Sequence, residues 1–405
     1  TNQVDALVED ANGNPITGAA VVFSSANGAT ILSSTMNTGV NGVASTLLTH
    51  TVAGTSNVVA TVDTVNANID TAFVPGAVAT ITLTTPVNGA VADGANSNSV
   101  QAVVSDSEGN AVAGAAVVFS SANATAQITT VIGTTGADGI ATATLTNTVA
   151  GTSNVVATID TVNANIDTAF VAGAVATITL TAPVNGAVAD GVNTNSVQAV
   201  VSDSGGNPVT GATVVFSSTN ATAQITTVIG TTGADGIATA TLTNTVAGTS
   251  NVVATVDTVT NNIDTVFVAG AVATITLTTP VNGAVADGTD SNHVQAVVSD
   301  SDGNPVTGAA VVFSSANATA QITTVIGTTG ADGIATATLT NTVAGTSNVV
   351  ATVDTVNANI DTAFVAGAVA TITLTTPVNG AVADGANSNS VQAVVSDSDG
   401  NPVTG

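Results

Sequence analysis

The chain has 405 residues, with 26 acidic side chains, two histidines and no Lys or Arg, giving a formal net charge of -26 at pH 7. Nucleic acid and anionic lipid are held by basic patches that release counterions, so both partner classes are excluded, as are salt bridges and Lys–Asn cross-links. There is no Cys for a disulfide, which leaves packing, backbone pairing and bound cations to stabilise the chain.

Hydrophobic residues make up 44% of the chain and charged ones only 6%, the balance of a folding sequence rather than a disordered one. No apolar run reaches the roughly 18 residues of a membrane-spanning helix. The chain opens on Thr1 with TNQVDALVED, which has neither the charged nor the apolar region of an export signal, and it reads as a fragment or processed form.

Taken in order along the chain, the sequence repeats itself. Phe23, Phe119, Phe216 and Phe313 recur in VVFSS, and Phe73, Phe170, Phe267 and Phe364 recur in a second motif at steps of 97 residues. A unit of that size is a whole domain, since solenoid rungs run about 20 to 50 residues. The expected domains are 1–74, a first repeat without its opening strand; 75–171, 172–268 and 269–365, three full repeats; and 366–405, opening strands only.

Within the second repeat, period-two alternation predicts strands over 79–86, 99–107, 115–122, 140–147, 153–160 and 165–171. In IATATLTN, Ala141, Ala143 and Leu145 fall on one face and Thr142, Thr144 and Thr146 on the other, the pattern of a half-buried antiparallel strand. Asp138-Gly139 and its copies read as primed hairpin turns, and Gly-Asn-Pro-Val at 206–209, 303–306 and 400–403 places Pro at a strand edge. Six or seven short strands per unit predict a β-sandwich.

The order Asp300, Gly303, Asn304, Pro305, Val306, Gly308, Val311, Phe313, then Thr329, Gly330, Asp332, Gly333, Ile334, Ala335, Leu339, Thr340, then Ala344, Gly345, Thr346, Val349, Ala351 resembles the bacterial immunoglobulin-like domain of the invasin and intimin type. The resemblance covers every unit. It implies an all-β chain of tandem Greek-key sandwiches in an elongated string, used as a spacer in secreted or outer-membrane adhesins. It also implies an extracellular or cell-surface location, neighbouring repeats as packing partners, and a host or surface receptor bound by regions outside this chain.

Chemistry is sparse. His50 and His293 occupy non-equivalent repeat positions and are expected to be surface replacements, far short of a triad or zinc site. Asp106, Glu108, Asp300, Asp302, Asp397 and Asp399 lie in D-x-x-G-N turns and are candidate calcium ligands, although the 12-residue calcium-loop spacing is missing. The plain solvated turn is the competing reading. A second acidic series, Asp93, Asp190, Asp287 and Asp384, is expected near the domain junctions.

Rows of Thr on the strands suit an exposed sheet face, and Asn123-Ala-Thr and its copies match a glycosylation sequon. At about 12 residues per strand and 3.3 Å rise, each sandwich would be roughly 40 Å long and the run about 150 Å. The expected function is a structural stalk. Two alternatives stand beside it: a filament subunit completed by strand exchange between copies, and a calcium-, glycan- or ice-binding module. An enzyme is not expected, because nothing builds a pocket with convergent titratable groups.

Overall fold

The computed structural model describes all 405 residues, and every regular element in it is a β-strand. The chain divides into two compact units, Thr1–Ala176 with Ser202–Val209, and Thr177–Val201 with Thr210–Gly405.

In the first unit, the first repeat contributes β1 (Asn2–Leu7), β2 (Ala20–Ser25), β3 (Thr30–Ile31), β4 (Thr35–Asn37), β5 (Val43–Thr49), β6 (Gly54–Val62) and β7 (Val65–Phe73). These make a three-stranded sheet, β1-β5-β3, and a four-stranded one, β4-β2-β6-β7. The second repeat contributes β8 (Thr80–Val87), β9 (Ala90–Val91), β10 (Ser97–Ser105), β11 (Val118–Ser120), β12 (Gln127–Ile132), β13 (Ile140–Thr146), β14 (Gly151–Ile159) and β15 (Val162–Val171). Its sheets are β12-β13-β10-β8 and β11-β14-β15-β9, antiparallel except where β9 runs parallel to β15.

The alternation in the sequence sets which face goes inward. Ala141, Ala143 and Leu145 on β13 and Val100, Ala102 and Val104 on β10 are buried against Val155, Ala157 and Ile159 of the facing sheet. Alanines at the centre let the sheets approach closely, while Phe119 and Phe170 add bulk to the same core. Burying each Val, Leu or Phe side chain contributes about 1.5–3 kcal/mol.

Three local expectations are corrected. β12 was not expected as a strand, because its Thr129-Thr130-Val131 run breaks the alternation; its pairing with β13 accommodates this with a register shift between Thr130 and Ile132. The expected strand over 115–122 shrinks to Val118–Ser120, with Ala116 making only an isolated bridge to Thr134. Asp138-Gly139 is not a primed turn: Gly139 N–H donates to Gly136 O at 3.0 Å, and Gly139 is left-handed (φ 72) while Asp138 is not. The tight hairpin turn of the repeat is Asp160-Thr161 between β14 and β15, with Asp160 at φ 49, a conformation that Asp tolerates better than most residues.

In the first repeat His50 stands where the second repeat has Asn147. Asn147 Nδ2 donates to the buried Ser153 hydroxyl at 3.0 Å, and its Oδ1 accepts from Val149 N. His50 instead packs edge-on against Phe73 with ring centroids 5.6 Å apart, half-buried rather than at the surface as expected. The fully buried Ser56 hydroxyl is left without a hydrogen-bond partner. His293, by contrast, is exposed on its strand.

In the second unit, the third repeat pairs Thr177–Val184, Asn195–Ser202, Ile237–Thr243 and Gln224–Ile229 in one sheet, and the fourth repeats the arrangement with Thr274–Val281, Asn292–Ser299, Ile334–Thr340 and Gln321–Ile326. Thr371–Val378 and Ser390–Ser396 form a final two-stranded sheet with Ile372, Leu374 and Val391 exposed.

The orphaned hydroxyl yields a test. His50→Asn supplies the missing donor and should stabilise the first repeat by about 1 kcal/mol, since a satisfied buried hydroxyl is worth 1 ± 0.5 kcal/mol. Native-state hydrogen exchange of the β5 and β6 amides would show it as slower exchange confined to that repeat.

Candidate functional site at the repeat junctions

Each D-x-x-G-N turn is built locally. Asp106 Oδ1 accepts from the backbone N–H of Glu108 at 3.0 Å and of Asn110 at 2.8 Å, while Oδ2 accepts from Asn110 Nδ2 at 2.9 Å. Gly109 supplies the left-handed residue (φ 86) that closes the turn, with Asp106 N–H donating to Asn110 O. Asp and Asn are thereby fixed as one rigid couple.

That couple then holds the preceding repeat and the linker. Asp106 Oδ2 also accepts from Gly76 N, in the linker, at 2.8 Å. Asn110 Oδ1 accepts from Ala53 N and its Nδ2 donates to Thr51 O, both at 2.8 Å. Thr51 and Ala53 belong to the β5–β6 loop of the first repeat, so one carboxamide spans the junction by donating and accepting at once.

The same latch closes on the second repeat in the first unit, where Asn207 accepts from Ala150 N at 2.8 Å and donates to Thr148 O at 3.2 Å, and Asp203 accepts from Gly173 N at 2.8 Å. In the second unit, Asn304 takes Ala247 N (2.8 Å) and Thr245 O (3.1 Å), and Asn401 takes Ala344 N (2.8 Å) and Thr342 O (3.1 Å). Asp300 and Asp397 accept from Gly270 N and Gly367 N, each at 2.8 Å. Asn207, Asn304 and Asn401 are each 5% exposed, so their hydrogen bonds are shielded from water.

The turn at Asp10 and Asn14 forms the same internal bonds while exposed, with Asn12 N, Asn14 N and Asn14 Nδ2 all donating to Asp10. The couple's internal geometry is thus set by the residues of the turn itself.

The donors also set the acidity. The Asn110 side chain and then the Gly76 N–H hold the Asp106 carboxyl down at about 2, against burial. For Asp203, Asp300 and Asp397, burial pushes upward most strongly of the single influences, but the linker N–H, the Asn side chain and the turn N–H groups together outweigh it and hold each carboxyl below its ordinary range.

The six candidate calcium ligands divide in two. Asp106, Asp300 and Asp397 are buried and surrounded by N–H donors. Glu108, Asp302 and Asp399 are exposed, each beside the hydroxyl of Ser107, Ser301 or Ser398. No group of three or more acidic or His side chains gathers anywhere. Asp93 and Asp190 cap their own turns through Asn96 and Asn193, next to Ala92 O and Ala189 O, which accept from Asn207 and Asn304 at 3.4 Å.

Elsewhere, Thr144 sits between Thr129 and Ser99 on the outer sheet face, and Thr142 pairs with Gln101. The sequon residue Asn123 is half-buried, its Nδ2 donating to Ser153 Oγ and its Oδ1 accepting from Thr125, so it serves as a turn.

Sequence reasoning weighed the acids and missed the Asn four residues on. The signal was present: Asn14, Asn110, Asn207, Asn304 and Asn401 never vary among the copies, whereas the third turn position runs through Asn12, Glu108, Gly205, Asp302 and Asp399.

The bacterial Ig-like domain (group 1) family matches residues 1–74, 80–171, 177–268 and 274–365. The chain belongs to this family. Such domains are immunoglobulin-like modules and not an enzyme family, in keeping with sandwiches whose polar chemistry is concentrated in turns. Among solved structures, the Escherichia coli adhesin FdeC is similar at 23% identity and a TM-score of 0.52, covering 72% of this chain and 99% of that one. Invasin, a bacterial integrin-binding protein, shares 28% identity at a TM-score of 0.45, over 75% of this chain and 63% of its own. InvD of Yersinia pseudotuberculosis shares 19% at 0.49, over 70% and 96%. No curated protein matches in sequence.

Two predictions concern these Ig-like junctions. Asn304→Ala leaves the half-buried Ala247 N–H without its partner and should destabilise that junction by about 1 kcal/mol; exchange of the Ala247 amide, against amides in the sandwich cores, measures it. The Asp106 carboxyl has a lowered folded value, so its contribution is complete above the free carboxyl range of about 3.9 and is lost as pH falls through about 2. An acid titration of the Gly76 and Ala53 amides should therefore release them together between about pH 4 and pH 2.

Proposed function

We propose that this chain is a length of stalk in a bacterial cell-surface or secreted adhesin, its repeats strung end to end to hold a binding region away from the cell. The observation that carries this reading is the recurrence of one Asp–Asn latch at four successive turns, each gripping a preceding repeat and the linker. A linker whose N–H is tied down, next to a repeat whose loop is tied down, cannot swivel freely. Such junctions convert a flexible string into a spacer.

The fold likeness to the FdeC adhesin supports the same reading. A receptor on a host or other surface would be engaged by regions outside this chain. The absence of basic residues and a net charge of -26 add self-repulsion, which extends the string further at low salt.

Small-angle scattering tests the proposal. The unaltered chain should give a maximum dimension approaching about 150 Å, the length of four sandwiches end to end. A variant carrying Asn110→Ala, Asn207→Ala, Asn304→Ala and Asn401→Ala should keep its β circular dichroism but scatter as a broader, bent ensemble. A compact particle, or identical scattering from the two proteins, would overturn the stalk reading. Millimolar calcium is expected to leave the scattering and thermal midpoint unchanged, because N–H donors surround the buried carboxylates; a rise in both would assign a cation to Glu108, Asp302 and Asp399.

A further inference from the structure

The opening and closing segments of a full repeat lie side by side. β9, just after β8, runs parallel to β15, the last strand of the repeat, with Ala90 beside Phe170 and Val91 beside Val171. Further bonds extend the pair at both ends: Gly89 N donates to Ala169 O at 3.0 Å, Ala92 N to Val171 O at 2.8 Å, and Ala169 N to Asn88 Oδ1 at 2.7 Å. Asn98, on β10 of the other sheet, pins both strands at once: its Oδ1 accepts from Ala90 N and its Nδ2 donates to Ala169 O, each at 2.9 Å. It is 0% exposed. In the second unit, Asn195 takes Ala187 N (3.0 Å) and Val266 O (2.9 Å), and Asn292 takes Ala284 N (3.0 Å) and Ala363 O (2.9 Å), beside parallel pairs of the same kind.

Tension along the chain enters a repeat at its opening segment and leaves by its last strand. It draws β9 toward the N-terminal side and β15 toward the C-terminal side, and because the two run parallel they are pulled past each other along their lengths. The evenly spaced bonds of a parallel pair then share the load instead of opening one after another. We propose that this pair, pinned by Asn98, is the load-bearing clamp of the repeat and sets the tension at which the sandwich opens. β8 is an edge strand held by β10 alone, so it can detach with both sheets intact, and the repeat opens only when β9 parts from β15. Ala92 and Phe170 are buried as well, which keeps water from replacing these bonds until the strands separate.

The junction latch closes onto this clamp. Ala92, whose N–H ends the β9–β15 pair, offers its carbonyl to Asn207 of the following repeat at 3.4 Å, and Ala189 and Ala286 do the same for Asn304 and Asn401. Just past β15, Gly173 N is held by Asp203. Tension therefore passes from clamp to junction through adjacent hydrogen-bonded segments. The stalk reading supplies the tension, but pulling tests the clamp and scattering tests the stalk, so either can fail alone.

The full chain is held by its two ends at constant tension in a single-molecule apparatus, where each full repeat releases about 300 Å of chain on opening. The unaltered protein is compared with a clamp variant carrying Asn98→Ala, Asn195→Ala and Asn292→Ala, and with a control carrying Asn147→Ala, Asn244→Ala and Asn341→Ala. The control also removes a buried Asn with two hydrogen bonds from each repeat, but from the loop between β13 and β14 and its equivalents. Both variants should lower the thermal midpoint, whereas forced opening follows the unfolding barrier and not the equilibrium stability. The clamp variant should open about tenfold faster at the same tension, and the control at the unaltered rate. Equal acceleration in both variants, or none in the clamp variant, overturns the assignment. Should the clamp variant lose its β circular dichroism, Asn88→Ala, Asn185→Ala and Asn282→Ala, at exposed positions, remove the acceptors of Ala169, Val266 and Ala363 N instead. Faster opening is expected there too, and an unchanged rate overturns the clamp equally.

Discussion

The organising constraint on this molecule is that its carboxylates must be compensated without a single Lys or Arg. N–H groups do that work. Asp167 takes the Asn154 amide at 2.7 Å, Asp93 the Asn96 amide at 2.6 Å and Asp106 the Asn110 amide at 2.9 Å, with backbone N–H groups adding to the last two. A carboxylate bonded in this way is fixed in direction, which a flexible ion pair on a long side chain is not. The junction latch is the most buried use of the same device.

Much of this was legible in the sequence. The 97-residue period, the inward faces of β10 and β13 and the sandwich class follow from alternation and from identical copies, because register in a half-buried strand is dictated by which residues can leave water. The edges were less legible. β12 carries Thr129, Thr130 and Val131 in a row, and only its pairing with β13 makes it a strand. Asp160-Thr161 gave no Gly to signal a turn, yet the two strands it joins leave no room for a longer one.

The latch shows how much of a site the residue types alone leave unstated. Oxygen-rich acidic turns suggest a cation when only residue types are counted, since calcium and N–H donors want the same lone pairs. What decides between them is the direction of the neighbouring N–H groups, which the sequence does not state. The invariant Asn marked the latch, but its partners, Ala53 N and Thr51 O, lie 57 and 59 residues away.

The placement of the latch has a consequence for the proposed stalk. In tandem arrays, stability is close to a sum of repeat terms and nearest-neighbour terms. Here the neighbour term rests on a turn whose internal geometry its own residues set. Near-identical repeats also risk pairing with the wrong neighbour's strands. A latch made of one turn and one loop avoids this, because it joins repeats without offering a strand edge to exchange. Stiffness and fidelity then come from the same Asp–Asn couple, and the cores are left to carry the stability of each repeat on their own.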